Sequence, residues 1–166
     1  MSGCITLSSV NDPLAYSVER EFAVPVERLW TAWTDASELA AWYCPVGLSV
    51  APDTTVSDPI EGGRWSAAVV VPDGGAAYFW GRYTAVVPNS RAEHTMLYSV
   101  DREEFAAADE SGPAHLIVLD FEGRDGGAWV RFSQFGEMPA EMAEGARQGM
   151  ESYLDSLQIH LDANPA

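Results

Sequence analysis

The C-terminal segment after Gly136 constrains the fold of this chain more than any other stretch. Its sequence, PAEMAEGARQGMESYLDSLQIHL, carries apolar side chains at intervals of three and four residues, which predicts one long amphipathic helix. The predicted apolar stripe comprises Met142, Ala143, Ala146, Met150, Tyr153, Leu157 and Leu161. No other segment predicts a helix of similar length. This helix is therefore expected to cover the apolar surface that the rest of the chain presents.

Most of the remaining chain predicts β-strands. AYSVEREFAV alternates with a period of two, and residues 48–135 contain apolar runs separated by turn sequences such as PDGG and PNS. The sequence RDGG between two such runs predicts a hairpin. Prolines interrupt residues 48–60, which is typical of an edge strand. Residues 101–113, DREEFAAADESGP, are expected to form a polar loop.

Two short helices are predicted directly after the first strand, in the segment VPVERLWTAWTDASELAAWYCP. Asp35 or Thr34 can cap the second helix, with Glu38 available for the reciprocal contact. The fold class that follows is α+β, with a curved antiparallel sheet of about six to seven strands wrapped on the long C-terminal helix. Residues 1–14 are expected to form a flexible N-terminal arm, and residues 15–162 a single domain.

The composition and charge exclude several classes of function. A chain of 166 residues with 47% hydrophobic and 20% charged residues is typical of one globular domain. Its formal net charge of −16 argues against nucleic acid or an anionic membrane as a partner, since both are polyanions. All nine basic residues are arginine, which excludes the lysine chemistry of Schiff bases and phosphate loops.

The cysteines and histidines indicate neither a disulfide framework nor a metal site. Cys4 and Cys44 are too few for such a framework, which favours a reduced, cytoplasmic setting, and no signal-peptide pattern or membrane-spanning run is recognised. His94, His115 and His160 have no metal-ligand spacing, so no metal and no cofactor are expected. His115 and His160 are interpreted as structural.

Several segments resemble a known family. REFAVPVERLWTAWTDASELAAWYCP, GGRW, WGRYTAVVPNSR, GAWVRFSQF and GMESYLDSLQIHL are similar to the bacterial family named after the activator of the heat-shock chaperone ATPase. That family belongs to the START-like, or SRPBCC, superfamily of helix-grip folds, and the resemblance covers residues 15–161. It implies a deep cavity between sheet and long helix, used across the superfamily for lipids, polyketides and aromatic molecules. Where the family commonly has Gly-Trp, this chain has Gly149-Met150, so the cavity floor is expected to be reshaped.

Aromatic side chains supply the strongest remaining indication of a site. Wide rings with polar tips suit a pocket for a flat or apolar molecule. The residues predicted to line this cavity are Trp42, Trp65, Trp80, Tyr83, Tyr98, Phe132, Met142, Met150 and Tyr153. Arg64, Arg82 and His94 are candidate polar anchors. Trp30 and Trp33 are instead expected to anchor the first helix to the sheet.

The leading hypothesis is therefore binding of a hydrophobic or aromatic small molecule. Two alternatives stay open: an enzyme of the same fold, such as a cyclase or aromatase, and an interaction module that modulates a chaperone ATPase. No catalytic set of residues is recognised, so whether a reaction is catalysed is left undecided. A homodimer is compatible with the sequence. A chaperone partner is not expected, because chaperone activation belongs to members with an additional N-terminal domain.

Overall fold

The alternating segments of the sequence form one antiparallel sheet, and the computed structural model describes residues 12–165. The strands are β1 Leu14–Phe22, β2 Ser49–Val50, β3 Val56–Ser57, β4 Arg64–Val70, β5 Ala76–Val87, β6 Arg91–Ser99, β7 His115–Arg124 and β8 Gly127–Phe135. The helices are α1 Val26–Thr34, α2 Ala36–Trp42, α3 Arg102–Ala107 and α4 Ala140–Ala163. Most of the expected flexible arm, residues 1–14, lies outside the described residues.

The strand order is β1-β8-β7-β6-β5-β4-β2, and β3 pairs with β4. The hairpin predicted at RDGG joins β7 to β8, with Arg124 paired to Gly127 and Gly126 in the left-handed region at φ 79°. The proline-interrupted stretch supplies only the two-residue strands β2 and β3 at one edge. The predicted fold class is confirmed: the sheet curls around α4, and α1 and α2 follow β1.

Helix α4 buries one side on the inner face of the sheet, which we define as the face that α4 covers. The buried side chains of α4 are Ala143, Met150, Leu154, Leu157 and Leu161. The predicted stripe was therefore wrong at two positions, since Met142 is 60% exposed and Leu154, which the stripe omitted, is 1% exposed. The first turns of α4 lie at the open end of the sheet, where less of the helix surface is covered.

The predicted cap forms at the start of α2, directly after α1. Asp35 precedes α2, and its Oδ1 accepts hydrogen bonds from the backbone N–H groups of Ser37 and Glu38. The reciprocal contact of Glu38 is not formed. Its carboxylate instead binds the guanidinium of Arg28 at 3.1 Å and Nε2 of His160 at 2.6 Å. This side chain therefore links α1, α2 and the end of α4.

The expected polar loop at residues 101–113 contains a helix, α3, which corrects the sequence prediction. Asp101 caps it by accepting a hydrogen bond from the N–H of Glu103 at 2.8 Å. Its single aromatic residue, Phe105, packs on Tyr78 and Trp80 with ring centroids 4.9 and 6.0 Å apart. A helix this short depends on such contacts. It covers the outer face of the sheet, opposite α4.

Candidate functional site

A cavity of about 510 Å³ lies between the inner face of the sheet and the N-terminal half of α4. Its lining is mostly apolar, with several hydroxyl, amide and imidazole groups. The lining residues are Tyr16, Tyr43, Phe79, Met96, Tyr98, Pro113, His115, Phe132, Gln134, Met138, Met142, Ala146, Gly149, Met150 and Tyr153. A volume of this size can hold a molecule of several fused rings.

The antiparallel order of the strands explains why the sheet residues of the lining meet. In such a sheet the start of one strand lies beside the end of its neighbour. Tyr16 and His115 lie near the starts of β1 and β7, while Gln134 lies near the end of β8 and is paired with both strands. The same arrangement recurs between β5 and β6, where Phe79, early in β5, pairs with Tyr98, late in β6. The cavity therefore occupies one end of the sheet.

A directed chain of hydrogen bonds crosses the cavity wall. The hydroxyl of Tyr16 donates to Oε1 of Gln134 at 2.7 Å, and Nε2 of Gln134 donates to Nδ1 of His115 at 2.7 Å. Because Nδ1 accepts this bond, the neutral imidazole carries its proton on Nε2. Gly136 has φ 147°, and a side chain on it would collide with the His115 ring, so the glycine leaves the space that this ring occupies.

Two further tyrosines border the cavity without such partners. Tyr43, which follows α2, and Tyr153 on α4 stand edge to face with ring centroids 4.9 Å apart. Neither hydroxyl has a hydrogen-bond partner among residues 12–165. Burial, and then the neighbouring Tyr153 hydroxyl, raise the pKa of both Tyr16 and Tyr43, and burial raises the pKa of Tyr153. All three phenols are therefore neutral near pH 7.

No Asp, Glu, Lys or Arg of the described part of the chain is among the lining residues of the cavity. Within residues 12–165 there is also no group of three His, Cys, Asp or Glu side chains placed to hold a metal ion. The chemistry available is therefore apolar contact, ring stacking and hydrogen bonding by hydroxyl, amide and imidazole groups.

Five of the predicted cavity residues border this space: Tyr98, Phe132, Met142, Met150 and Tyr153. They come from β6, β8 and α4, and Tyr98 and Met142 are both more than half exposed, which places them at the mouth. Their role in ligand binding stays a prediction. The departure from the family pattern at Gly149-Met150 falls directly in the lining.

Three predicted residues lie on the outer face instead. Strand residues alternate between faces, so Phe79 in the cavity wall puts Trp80 and Arg82 on the opposite side. There Trp80 packs on α3, and Arg82 forms a 2.9 Å ion pair with Glu110. Arg64 is paired across the ladder with Arg82 and is exposed. The structure does not bring these arginines to the cavity.

Tyr83 lies on the inner face but at the other end of the sheet, which α1 and α2 close. Its hydroxyl and that of Ser57 are 2.7 Å apart, and the Ser57 hydroxyl donates in turn to the carbonyl of Thr34. Trp65 stacks on His94 with centroids 4.2 Å apart, and neither ring borders the cavity. Burial lowers the pKa of His94 to about 4, so this imidazole is neutral.

The structure corrects the prediction that Trp42 walls the large cavity. Trp42 is 1% exposed, its indole Nε1 donates to the carbonyl of Ala32 at 2.8 Å, and its ring meets Trp33 edge to face at 4.7 Å. It contributes only to a smaller depression beside the end of α4. The three nearby tryptophans thus form core contacts, with Trp30 packed on Phe121 at 5.1 Å.

Sequence reasoning missed the polar part of the lining. Gln134 continues the inner-face series of Val130 and Phe132, and His115 begins the series of Ile117 and later apolar residues. A polar residue that lies on the same face of a strand as buried apolar residues is a recognisable sign of a polar site, because its burial requires hydrogen-bond partners. The other lining residues outside the predicted set are Tyr16, Tyr43, Phe79, Met96, Pro113, Met138, Ala146 and Gly149.

A curled antiparallel sheet that holds a cavity against a long C-terminal helix defines the START-like, helix-grip class, and this fold generally binds hydrophobic ligands. The chain belongs to the family described as Activator of Hsp90 ATPase homolog 1-like protein, whose model matches residues 23–162. No protein with a curated description matches the sequence significantly. In the described residues no helix is long and apolar enough to cross a membrane.

Solved structures with the same fold come from several bacteria. The AHSA1 protein of Silicibacter pomeroyi is similar at 26% identity, with 89% of this chain and 97% of that chain covered and a TM-score of 0.75. A protein of Chromobacterium violaceum is 22% identical over 87% of this chain and 94% of its own, with a TM-score of 0.72. A Staphylococcus epidermidis protein is 24% identical over 89% and 88%, also with a TM-score of 0.72.

Proposed function

We propose that this protein binds a hydrophobic or aromatic small molecule in the cavity between the sheet and α4. The observation that carries the proposal is the cavity itself, with a volume of about 510 Å³ and a mostly apolar lining. Ligand pockets commonly measure roughly 300–1,000 Å³ and combine apolar walls with a few polar groups. Protein interiors are otherwise close-packed, and empty apolar space lowers stability. A space of this size therefore supports a binding role.

Two glycines of α4 support the proposal and provide its test. Gly149 borders the cavity and Gly145, one turn earlier, does not. A Cβ atom at either position would meet no atom within 4 Å. Each glycine lowers helix stability by about 1 kcal/mol relative to alanine. At Gly149 the missing side chain leaves space at the cavity wall, which an apolar residue would fill.

The first prediction concerns Gly149→Leu. This substitution places four carbon atoms in the cavity, so we expect the affinity for the neutral fluorescent probe phenylnaphthylamine to fall by about tenfold or more. Gly145→Leu is the matched control, since it makes the same change in the same helix at an exposed position that does not border the cavity. We expect Gly145→Leu to bind the probe as the wild type does.

Thermal unfolding of both variants checks that each is folded, and neither substitution is expected to lower the melting temperature. Equal probe binding by the wild type and Gly149→Leu would contradict the proposal. Native mass spectrometry of freshly purified protein gives an independent test, because a retained ligand appears as added mass on the wild type and is reduced on Gly149→Leu.

A further inference from the structure

The polar groups of the cavity restrict the chemistry of its ligand beyond its size. No Asp, Glu, Lys or Arg side chain of the described residues borders the cavity. An ion buried without a partner is strongly disfavoured, because it loses its hydration and gains no opposite charge. A carboxylate, phosphate or ammonium group of a ligand would be such an unpartnered ion in this cavity. The cavity therefore favours an uncharged molecule.

The hydrogen-bond chain fixes which atom His115 offers to such a molecule. Tyr16 donates to Gln134, Gln134 donates to Nδ1 of His115, and the imidazole proton is thereby held on Nε2. No residue of the described chain accepts a hydrogen bond from that Nε2–H. Gly136 lies directly against the ring, which limits its movement. His115 is thus an oriented donor in the cavity wall.

The hydroxyls of Tyr43 and Tyr153 add to this donor. Tyr43 is 4% exposed, and neither hydroxyl has a hydrogen-bond partner among the described residues. Neither hydroxyl is among the fully buried atoms without a partner, so each keeps accessible surface on which a hydrogen-bonding atom can be placed. A ligand atom that accepts hydrogen bonds would satisfy these groups together with His115. Apolar residues such as Phe79 and Phe132 surround the rest of the space.

We infer, building on the proposed function, that the cavity selects an uncharged molecule with an apolar, ring-sized body and an acceptor oxygen, such as the carbonyl of a ketone or quinone. The Nε2–H of His115 donates to that oxygen, and the hydroxyl of Tyr43 or Tyr153 supplies a second donor. Tyr16 and Gln134 act as positioning residues, since they hold the imidazole in the tautomer that donates.

The test uses three probes of similar size and different chemistry. Methyl naphthyl ketone carries an acceptor oxygen, isopropenyl naphthalene replaces that oxygen with carbon, and naphthoate carries a negative charge near pH 7. We expect the ketone to bind the wild type about tenfold more tightly than the hydrocarbon, as one or two hydrogen bonds allow. Naphthoate is expected to bind more weakly than either. Isothermal titration calorimetry gives the three affinities.

His115→Phe tests the assigned donor. It keeps a ring of similar shape and removes the Nε2–H, so the preference for the ketone over the hydrocarbon should fall to about twofold or less, with hydrocarbon binding unchanged. Nitrogen NMR spectroscopy of the wild type gives a readout that does not depend on the folding of this variant. The ketone, and not the hydrocarbon, is expected to shift the Nε2 signal of His115.

The outcomes separate the two proposals. If none of the probes binds the wild type, or if Gly149→Leu binds them all equally well, the cavity function itself is wrong. If the probes bind and Gly149→Leu excludes them, binding in the cavity stands and the inference about its chemistry is judged alone. That inference is overturned if naphthoate binds most tightly, if the ketone has no advantage, or if the Nε2 signal does not respond to the ketone.

Discussion

His94 is a titratable group held neutral inside the core. It is 2% exposed, stacks on Trp65, and its Nδ1–H donates to the carbonyl of Thr95 at 2.8 Å. Burial lowers its pKa from 6.5 to about 4, and the bond to Thr95 offsets only part of that effect. The unfolded chain therefore takes up a proton below pH 6.5 that the folded protein does not accept until about pH 4. The stability associated with neutral His94 is fully present above pH 6.5 and is lost between these two values.

We therefore predict that His94 alone lowers the free energy of unfolding by about 3 kcal/mol as the pH falls from 6.5 to 4. His94→Phe keeps a ring against Trp65 and removes the titration. The variant is expected to be less stable than the wild type at pH 7, because it loses the hydrogen bond to Thr95, but to depend less on pH. Urea unfolding at several values in this range measures the slope. An equal slope in both proteins would contradict the prediction.

Helix α4 has two structurally different halves. Its first half contributes Met142, Ala146 and Gly149 to the cavity, and its second half packs Leu157 and Leu161 into the core. Because Ala146 and Gly149 have small side chains, space remains between this part of the helix and the sheet. In the second half, the larger side chains of Leu157 and Leu161 fill the space between the helix and the sheet. One helix thus anchors the fold at one end and borders the cavity at the other.

This division gives a prediction for Leu157→Ala. Leu157 is fully buried, so its truncation should lower the free energy of unfolding by about 2–5 kcal/mol. Ile159 lies on the same helix and is 61% exposed, so Ile159→Ala should change stability by about 0.5 kcal/mol or less. Chemical denaturation compares the two. Similar losses for both would contradict the packing of α4, and weaker probe binding in folded Leu157→Ala would contradict the division into halves.

The elements were predictable because their signals are local. Periods of two and of three to four residues, the RDGG turn and the Asp35 cap each depend on a few neighbouring positions. Helix α3 was missed because its stability depends on Phe105 reaching Tyr78 and Trp80, which are distant in sequence. The face of each aromatic residue was also missed. Trp80 and Phe79 are adjacent and equally aromatic, and only the register of β5 decides which one borders the cavity.

At the scale of the whole molecule, the existence of a cavity followed from the family resemblance, but its place did not follow from the residues. A cavity is the volume that side chains leave empty, so its position depends on how far the sheet curls and where each end is filled. Trp33, Trp42 and Trp65 fill the end closed by α1 and α2. At the other end the inner face carries Gln134 and His115, and the space stays open.

The charge composition leads to the final prediction. Four tyrosines have a raised pKa, chiefly because of burial: Tyr16, Tyr43 and Tyr83, which are buried, and Tyr153, which is partly buried. The pKa of Tyr83 reaches about 12. The chain has no lysine, so tyrosine is the main group that titrates between pH 10 and 12. In that range the unfolded chain loses phenolic protons that the folded protein retains. Stability is therefore fully present below pH 10 and falls as the pH rises, by about 1.4 kcal/mol per pH unit for each such tyrosine.

Urea unfolding between pH 9 and 12 should show this decline, and the tyrosinate absorbance of these four residues, out of six tyrosines in the chain, should appear together with unfolding rather than before it. Tyr83→Phe is the informative variant, because Tyr83 lies outside the cavity and its replacement leaves the three cavity phenols in place. For Tyr83→Phe we expect the free energy of unfolding to fall less steeply with pH, by about 1.4 kcal/mol per pH unit, because one phenolic proton fewer is lost on unfolding. A cavity ligand that hydrogen-bonds neutral phenols should also bind more weakly as they ionise. If the four tyrosines ionise near pH 10 in a protein that stays folded, the burial of these hydroxyls and the neutral character of the cavity are both wrong.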